Sequence, residues 1–420
     1  MTPRLCARIA SALLVAALLV FGCAGRGLIA RHYDPDFYRV DVPLPENTGE
    51  RNPTFLVYGD NQGCFRLIED FSKRHNWWTW KQALIPFYQC YWLANGALGL
   101  VNGVRTSADG GKRTRLMMRD AVYEAANTHQ VDFILNVGDI CTHDGRRPAH
   151  WRKFLIENKT QSPLLNEVPY LTAPGNHERT SDTTWGMPNY RAVFNKPRCY
   201  SRHFRDLSLF VIDSEIICDL YRDTDDDLQE EWYRMWLISG DSTQPGWLER
   251  ELAACDRPFK IVVMHIPPIS FGRHFTDWTG ERDYGPRIPE KRRELLNLLH
   301  REGVRLVLAG HEHVYQHNVL ALTADGGGTD SLHVIVSSGG GVPLRRLPSE
   351  REYEQQRQYY QEHDYDVTCV TLQRRFHYTL VSIENEAVAV RTFEINRKAP
   401  PRLMEEIRIR APRTPEPKRG

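Results

Sequence analysis

Five short segments of this chain gather side chains suited to gripping divalent cations: Gly59-Asp60-Asn61-Gln62-Gly63, Gly138-Asp139-Ile140-Cys141-Thr142, Gly175-Asn176-His177-Glu178, Met264-His265 and Gly310-His311-Glu312-His313. Mixed oxygen and imidazole donors accept Fe, Mn or Zn. The chemistry such a set serves is hydrolysis of phosphate esters, where an anionic centre repels an anionic nucleophile. Two cations about 3.5–4 Å apart lower the pKa of a shared water and neutralise the phosphoryl oxygens. A carboxylate can bridge two ions; an imidazole does so with difficulty. Taken singly, each Asp is an ordinary turn residue and each His an ordinary core or surface residue. Their joint order and placement argue for a site.

The elements that must position these residues are legible beside them. Each segment sits at or just past the end of an apolar run: Phe55 to Tyr58, Phe133 to Leu135, Tyr170 to Ala173, Ile261 to Val263 and Leu306 to Leu308. Runs of this length predict buried strands. Five strand ends would then deliver Asp, Asn and His to turns on one rim of a sheet. Helices are predicted from Arg115 to His129, from Trp247 to Cys255 and from Glu290 to Arg301, the last opened by Pro289. Alternating strands and helices predict sheets covered by helices.

The ordered series resembles the calcineurin-like metallophosphoesterase superfamily, whose pattern is D-x-H, GD-x-x-D, GNH-D/E, H and GH-x-H. The resemblance covers about residues 51–396. Phe210-Val211-Ile212-Asp213-Ser214, Gln244-Pro245-Gly246-Trp247-Leu248 and Val336-Ser337-Ser338-Gly339-Gly340-Gly341 resemble its purple-acid-phosphatase-like branch. This implies an α/β fold, a central two-sheet β-sandwich flanked by helices, with an aromatic-rich helical insertion. It implies that Asp139 matches the bridging carboxylate, Asp60 and His313 ligands of the first metal, and Asn176, His265 and His311 ligands of the second. His177 matches the residue that approaches the leaving oxygen or the phosphoryl group, as general acid or charge stabiliser. Glu178 is expected to orient its turn. The implied reaction is hydrolysis of a phosphomonoester, phosphodiester or phosphoanhydride by a metal-bridging hydroxide. Two positions depart from the pattern: Gln62 stands where many members have His, a weaker ligand, and Thr142 stands where purple acid phosphatases have Tyr. His143 and Asp144 follow as second-shell candidates. His150, His274, His317 and His363 lack such support and read as structural.

A net charge of +1 over 420 residues gives no electrostatic case for nucleic acid. Arg4 and Arg8 precede an apolar run from Ile9 to Phe21, too short to span a bilayer comfortably, and the layout is that of a secretory signal over residues 1–22. Val20-Phe21-Gly22-Cys23 resembles a bacterial lipobox, so Cys23 is the expected lipidation site, holding the protein to the membrane of the cell envelope through a lipid anchor. Residues 23–50 read as a lipidated N-terminus and linker, 51–396 as the metallophosphoesterase domain with an insertion at about 65–112, and 397–420, rich in Pro and charge, as a disordered tail. In an oxidising compartment Cys199 and Cys218 are a possible pair. Cys64 and Cys141 read as small packed turn residues sooner than zinc thiolates. The insertion carries Trp77, Trp78, Trp80, Phe87, Tyr88, Tyr91 and Trp92, with no formal charge from Gln82 to Val104. It reads either as a buried helical flap or as an interfacial cap near the site. The cap reading opens a lipid-phosphate hydrolase; thinning of the first metal's ligands at Gln62 and Thr142 opens a degenerate metal-binding scaffold. Pro348 to Asp364 reads as a solvated helix or loop. Neither substrate identity nor oligomeric state is legible.

Overall fold

The computed structural model describes residues 34–62, 111–141, 145–146, 148–179, 186–220, 225–280, 287–323 and 329–411. Thirteen strands form two sheets among the described residues: β1 (Phe55–Tyr58), β2 (Phe133–Asn136), β3 (Tyr170–Thr172), β4 (Tyr200–His203), β5 (Leu207–Val211), β6 (Phe259–Val263), β7 (Leu306–Ala309), β8 (Tyr315–Thr323), β9 (Thr329–Ser337), β10 (Asp366–Gln373), β11 (His377–Glu384), β12 (Ala387–Asn396) and β13 (Ala399–Arg410). The first sheet runs β13-β12-β11-β1-β2-β3 and the second β10-β8-β9-β7-β6-β5-β4. Both are mixed: β1, β2 and β3 pair in parallel, as do β5, β6, β7 and β9.

Strand periodicity explains the layering. Phe55 and Val57 of β1 point into the core between the sheets, where they meet Leu209, Val211, Ile261, Val263 and Leu308. Their neighbours Leu56 and Tyr58 face outward into a core that includes Met118, Val122, Phe154 and Phe194, from α1 (Lys112–Thr128), α2 (Pro148–Leu155) and α3 (Gly186–Phe194). On the second sheet Phe210, Val262 and Val307 face the opposite core. There they pack with α4 (Asp226–Trp236), α5 (Trp247–Ala254), α6 (Ile288–Arg301) and α7 (Glu350–Glu362). Strands buried on both faces read as continuous apolar runs, the signal seen in the sequence.

Four expectations need correcting. The tail is ordered through Arg410: β13 pairs antiparallel with β12 from Ala387↔Arg410 to Asn396↔Ala399. Its prolines, Pro400 and Pro401, are tolerated because β13 is an edge strand. The linker is also shorter than expected. Pro35–Tyr38 is helical, Tyr38 and Val40 are buried, and Lys159 Nζ donates to the carbonyls of Asp36, Phe37 and Arg39. Pro348 to Asp364 is not wholly solvated: α7 is capped by Ser349 and buries Gln356 and Tyr360. Cys199 and Cys218 are both buried in the core beside the second sheet, and no disulfide joins them. The leader with Cys23, Cys64, Cys90, the aromatic insertion and Thr142 to Asp144 lie outside the described residues. Among the described residues no helix is long and apolar enough to cross a membrane.

Candidate metal centre

All five segments leave the carboxyl ends of parallel strands: β1, β2 and β3 in one sheet, β6 and β7 in the other. In sheets with parallel strands such ends form the crevice where ligands bind. At this rim the turn after β9 bonds across to the turn after β1 of the other sheet, and further bonds tie neighbouring turns within each sheet. Asp60 N–H donates to the Gly138 carbonyl at 3.0 Å, Gly340 N–H to the Gly59 carbonyl at 2.9 Å and Gly310 N–H to the His265 carbonyl at 2.9 Å.

Tight turns are needed to aim the side chains inward. Asp60, Asp139, His311 and His313 all adopt left-handed φ, at 56°, 57°, 76° and 55°. Each such non-glycine conformation costs about 1–3 kcal/mol, and strain of this kind clusters at functional sites. Gly138 has φ 99°, and a Cβ there would stand 2.6 Å from His265 Nδ1, so the imidazole packs where a side chain would be.

The donors fall into two groups about Asp139. Its Oδ1 lies 3.3 Å from His265 Nε2, which is 3.0 Å from Asn176 Oδ1 and 3.2 Å from His311 Nδ1. Its Oδ2 accepts Gln62 Nε2–H at 3.1 Å; that nitrogen is 3.4 Å from His313 Nε2, which is 3.3 Å from Asp60 Oδ1. Asp139, His265 and His311 could hold one ion, and Asp60, Asp139 and His313 another. His177 stands at the mouth, 19% exposed, with Nε2 3.7 Å from Asp139 Oδ2. Every described residue singled out as a ligand is therefore brought together. Gln62 differs in one respect: its amide nitrogen, not its oxygen, faces the cluster.

Surrounding groups fix orientation. His265 Nδ1 lies 2.8 Å from the Val137 carbonyl, which turns Nε2 to the donors. His311 Nε2 lies 2.8 Å from Asp277 Oδ2 and so presents Nδ1. Asp60 Oδ2 accepts the His311 N–H at 2.8 Å. Glu178 organises its turn by accepting four backbone N–H groups, those of Asp139, Ile140, Cys141 and Gly175. Cys141 is buried with Sγ 3.1 Å from the His177 carbonyl, a packed turn position. His274, read as structural, stands beside the centre: its ring centroid is 4.1 Å from that of His311 and its Nδ1 3.4 Å from Asp277 Oδ2. Neither His274 nor Asp277 was found from sequence; the H-x-x-D spacing on one turn was the available signal. Of the other three, His317 bonds Glu405 and His333, and His363 bonds the Tyr359 carbonyl, both away from the centre.

Without a cation the donors divide: Asp139, His311 and His313 are shifted toward the forms that ligate, and His265 and Asp60 away from them. Burial alone would raise Asp139, but the neighbouring His265, His177 and His311 hold it below the usual carboxylate range. Burial opposes protonation of His265, yet the charges of Asp139 and Asp60 lift it to about 10. Asp60 is pushed well above its ordinary value by burial, opposed by His265 and reinforced by Asp139. Burial, with the charge of His274, lowers His311 to about 4; burial, with Arg345, lowers His313 well below its usual range. Ionised Asp139 and neutral His311 and His313 are the forms that ligate. Asp60 Oδ1, which faces His313 Nε2, is buried without a hydrogen-bond partner, a costly state that a cation relieves. The residues present fit a pair of metal ions.

Comparison with known proteins agrees with this geometry. The profile of the calcineurin-like phosphoesterase family matches residues 53–315. Tartrate-resistant acid phosphatase type 5 of Sus scrofa is 26% identical over 212 residues, covering 47% of this chain and 57% of its own. Purple acid phosphatase 22 of Arabidopsis thaliana is 22% identical over 230 residues, covering 51% of this chain and 45% of its own. The chain thus spans less than two thirds of the length of these curated relatives. A purple acid phosphatase from yellow lupin (Lupinus luteus) seeds superposes with a TM-score of 0.55 at 14% identity, over 87% of this chain and 55% of that one. At that identity the likeness speaks for the fold.

Proposed function

Because the chain belongs to the calcineurin-like phosphoesterase family, in its purple-acid-phosphatase-like branch, we propose that it is a two-metal phosphoesterase hydrolysing a phosphomonoester, phosphodiester or phosphoanhydride. One observation carries the reading: the two oxygens of Asp139 face two separate donor groups, which places this carboxylate between the two sites as a bridge would be. Asp60 and His313 would complete the holding of one ion, and Asn176, His265 and His311 that of the other, with Fe, Mn or Zn equally suited to the donors. When bound, the ions supply a water of lowered pKa and neutralise phosphoryl charge.

The chain's own residues account for the rest. Water oxygen forms the new P–O bond while the ester oxygen departs with its bonding pair and takes up a proton. His177, partly exposed and beside Asp139, is placed to hold that proton or to steady the developing charge. His274, stacked near His311, lines the same mouth. Glu178 keeps the turns of Asp139 and Asn176 in register. The same reading includes a lipid anchor at Cys23 in a bacterial cell envelope, supported by the layout of the leader; fatty-acid labelling lost in Cys23→Ser tests it.

The test is a substrate panel of aryl phosphate, phosphodiester and phosphoanhydride. It uses the full chain in detergent, loaded in turn with Fe, Mn and Zn. Turnover of at least one class is expected, and Asp139→Asn should abolish it and lower bound metal. Full turnover in Asp139→Asn would sink the proposal.

A further inference from the structure

Beside the centre lies a cavity of about 680 Å³, within the size range of small-molecule sites. One wall is the loop after β6, through Gly272, Arg273 and Thr276; the other is α7, through Gln355, Gln358 and Tyr359. The two walls are pinned to each other and to the centre. Gln356 Nε2–H donates to the Gly272 carbonyl at 3.0 Å. His274 N–H donates at 3.2 Å to Glu312 Oε2, and Glu312 separates His311 from His313. His274 itself stacks near His311. One step along the chain, from His274 to Arg273, therefore passes from the metal centre into the cavity.

Two charges on the lining face no opposite charge among the described residues, Glu362 near the end of α7 and Arg273 on the loop after β6. Arg346 is held by Glu352, Nη1 to Oε2 at 2.7 Å, and Glu362 accepts Gln358 Nε2–H at 2.7 Å. Arg273, exposed, has no ion-pair or hydrogen-bond partner among the described residues. The lining sets amides and a hydroxyl beside Phe275, Pro348 and Tyr359, which suits a short apolar spacer between polar ends. An unanswered guanidinium next to a phosphoryl site favours a second anion on the same molecule.

We propose that this cavity is a leaving-group pocket for small, water-soluble phosphoesters that carry a second anionic group, phosphate or carboxylate, paired by Arg273. The proposal rests on the phosphoesterase reading for its reaction, but the pocket has a binding test of its own. Three probes differ only in their far end: hexane-1,6-diol bisphosphate, 6-phosphonooxyhexanoate and hexyl phosphate. Metal-loaded full chain should show a lower KM for the first two, and whichever of them leads identifies the second anion. Arg273→Gln should reduce that preference about ten- to a hundredfold, in KM more than in kcat. Gln355→Glu, an exposed change on α7, should reduce it in the same direction and covers the case where Arg273→Gln folds poorly. Calorimetric binding of hexane-1,6-bisphosphonate should weaken in parallel. Hydrolysis of all three probes with the same relative loss in Arg273→Gln overturns the pocket while leaving the phosphoesterase intact. Bisphosphonate binding that depends on Arg273, with no hydrolysis of any probe, upholds the pocket and sinks the phosphoesterase reading. Neither binding nor hydrolysis overturns both.

Discussion

Replacing Glu178 with Gln tests whether a charged acceptor holds the turns that carry Asp139 and Asn176. Oε1 of Glu178 accepts the N–H groups of Ile140 and Cys141, and Oε2 those of Asp139 and Gly175, all at 2.7–2.9 Å. Gln keeps one oxygen, so two of these buried donors would face an amide NH₂. Each donor left without an acceptor costs about 1–3 kcal/mol, and the two together about 2–6 kcal/mol. The lost charge works the other way. Burial and the charge of Asp139 push Glu178 from 4.5 up to about 7, so above pH 7 its ionisation costs the fold about 3 kcal/mol, which Gln relieves. The two effects nearly offset, leaving the metal-free variant between about 1 kcal/mol more stable and about 3 kcal/mol less stable than wild type. Cations beside Asp139 cancel its share of that penalty but leave the larger share due to burial, so the metal-loaded variant should lose more stability than the metal-free one. The assay is denaturant unfolding at pH 7.5, with and without Mn or Zn, on wild type and variant. Equal stability in both states, or an undiminished gain on adding metal, would refute the reasoning.

Two further outcomes follow from the same geometry. His177→Asn should slow turnover about 10²- to 10⁴-fold while metal content stays at the wild-type level, measured by kinetics and metal analysis on one sample; an emptied centre would move His177 into the ligand set. His377 is fully buried with Nδ1 2.9 Å from the Arg375 carbonyl, and burial lowers it to about 4. The unfolded chain, with an ordinary value of 6.5, takes up the proton first as the pH drops. Stability is therefore intact above 6.5 and falls by about 3 kcal/mol toward pH 4. Unfolding curves of His377→Leu across that window should be flatter by this amount, and an unchanged slope would count against the assignment.

The sequence by itself determined the metal-directed residue types, their order and the strands that carry them. β1, β2, β3, β6 and β7 fall where apolar runs end in Gly-Asp, Gly-Asn-His, Met-His or Gly-His, because a strand buried on both faces must be apolar and must stop at a polar turn. α1, α5 and α6 were likewise legible within a few residues from their periodicity and breakers. Only the tertiary structure decided what depends on contacts between distant segments. His274 and Asp277 join the centre because a loop folds back onto His311 from a different strand end. The Gln62 amide turns its nitrogen inward to reach Asp139, 77 positions away in sequence. The charged, proline-bearing stretch after Arg397 looks unable to fold when read alone, since nothing local buries it. The open edge of β12 offers the missing backbone partners, and a strand most of whose residues face solvent can then keep its charges. Local pattern specifies what a segment prefers; pairing across the fold decides whether that preference is satisfied.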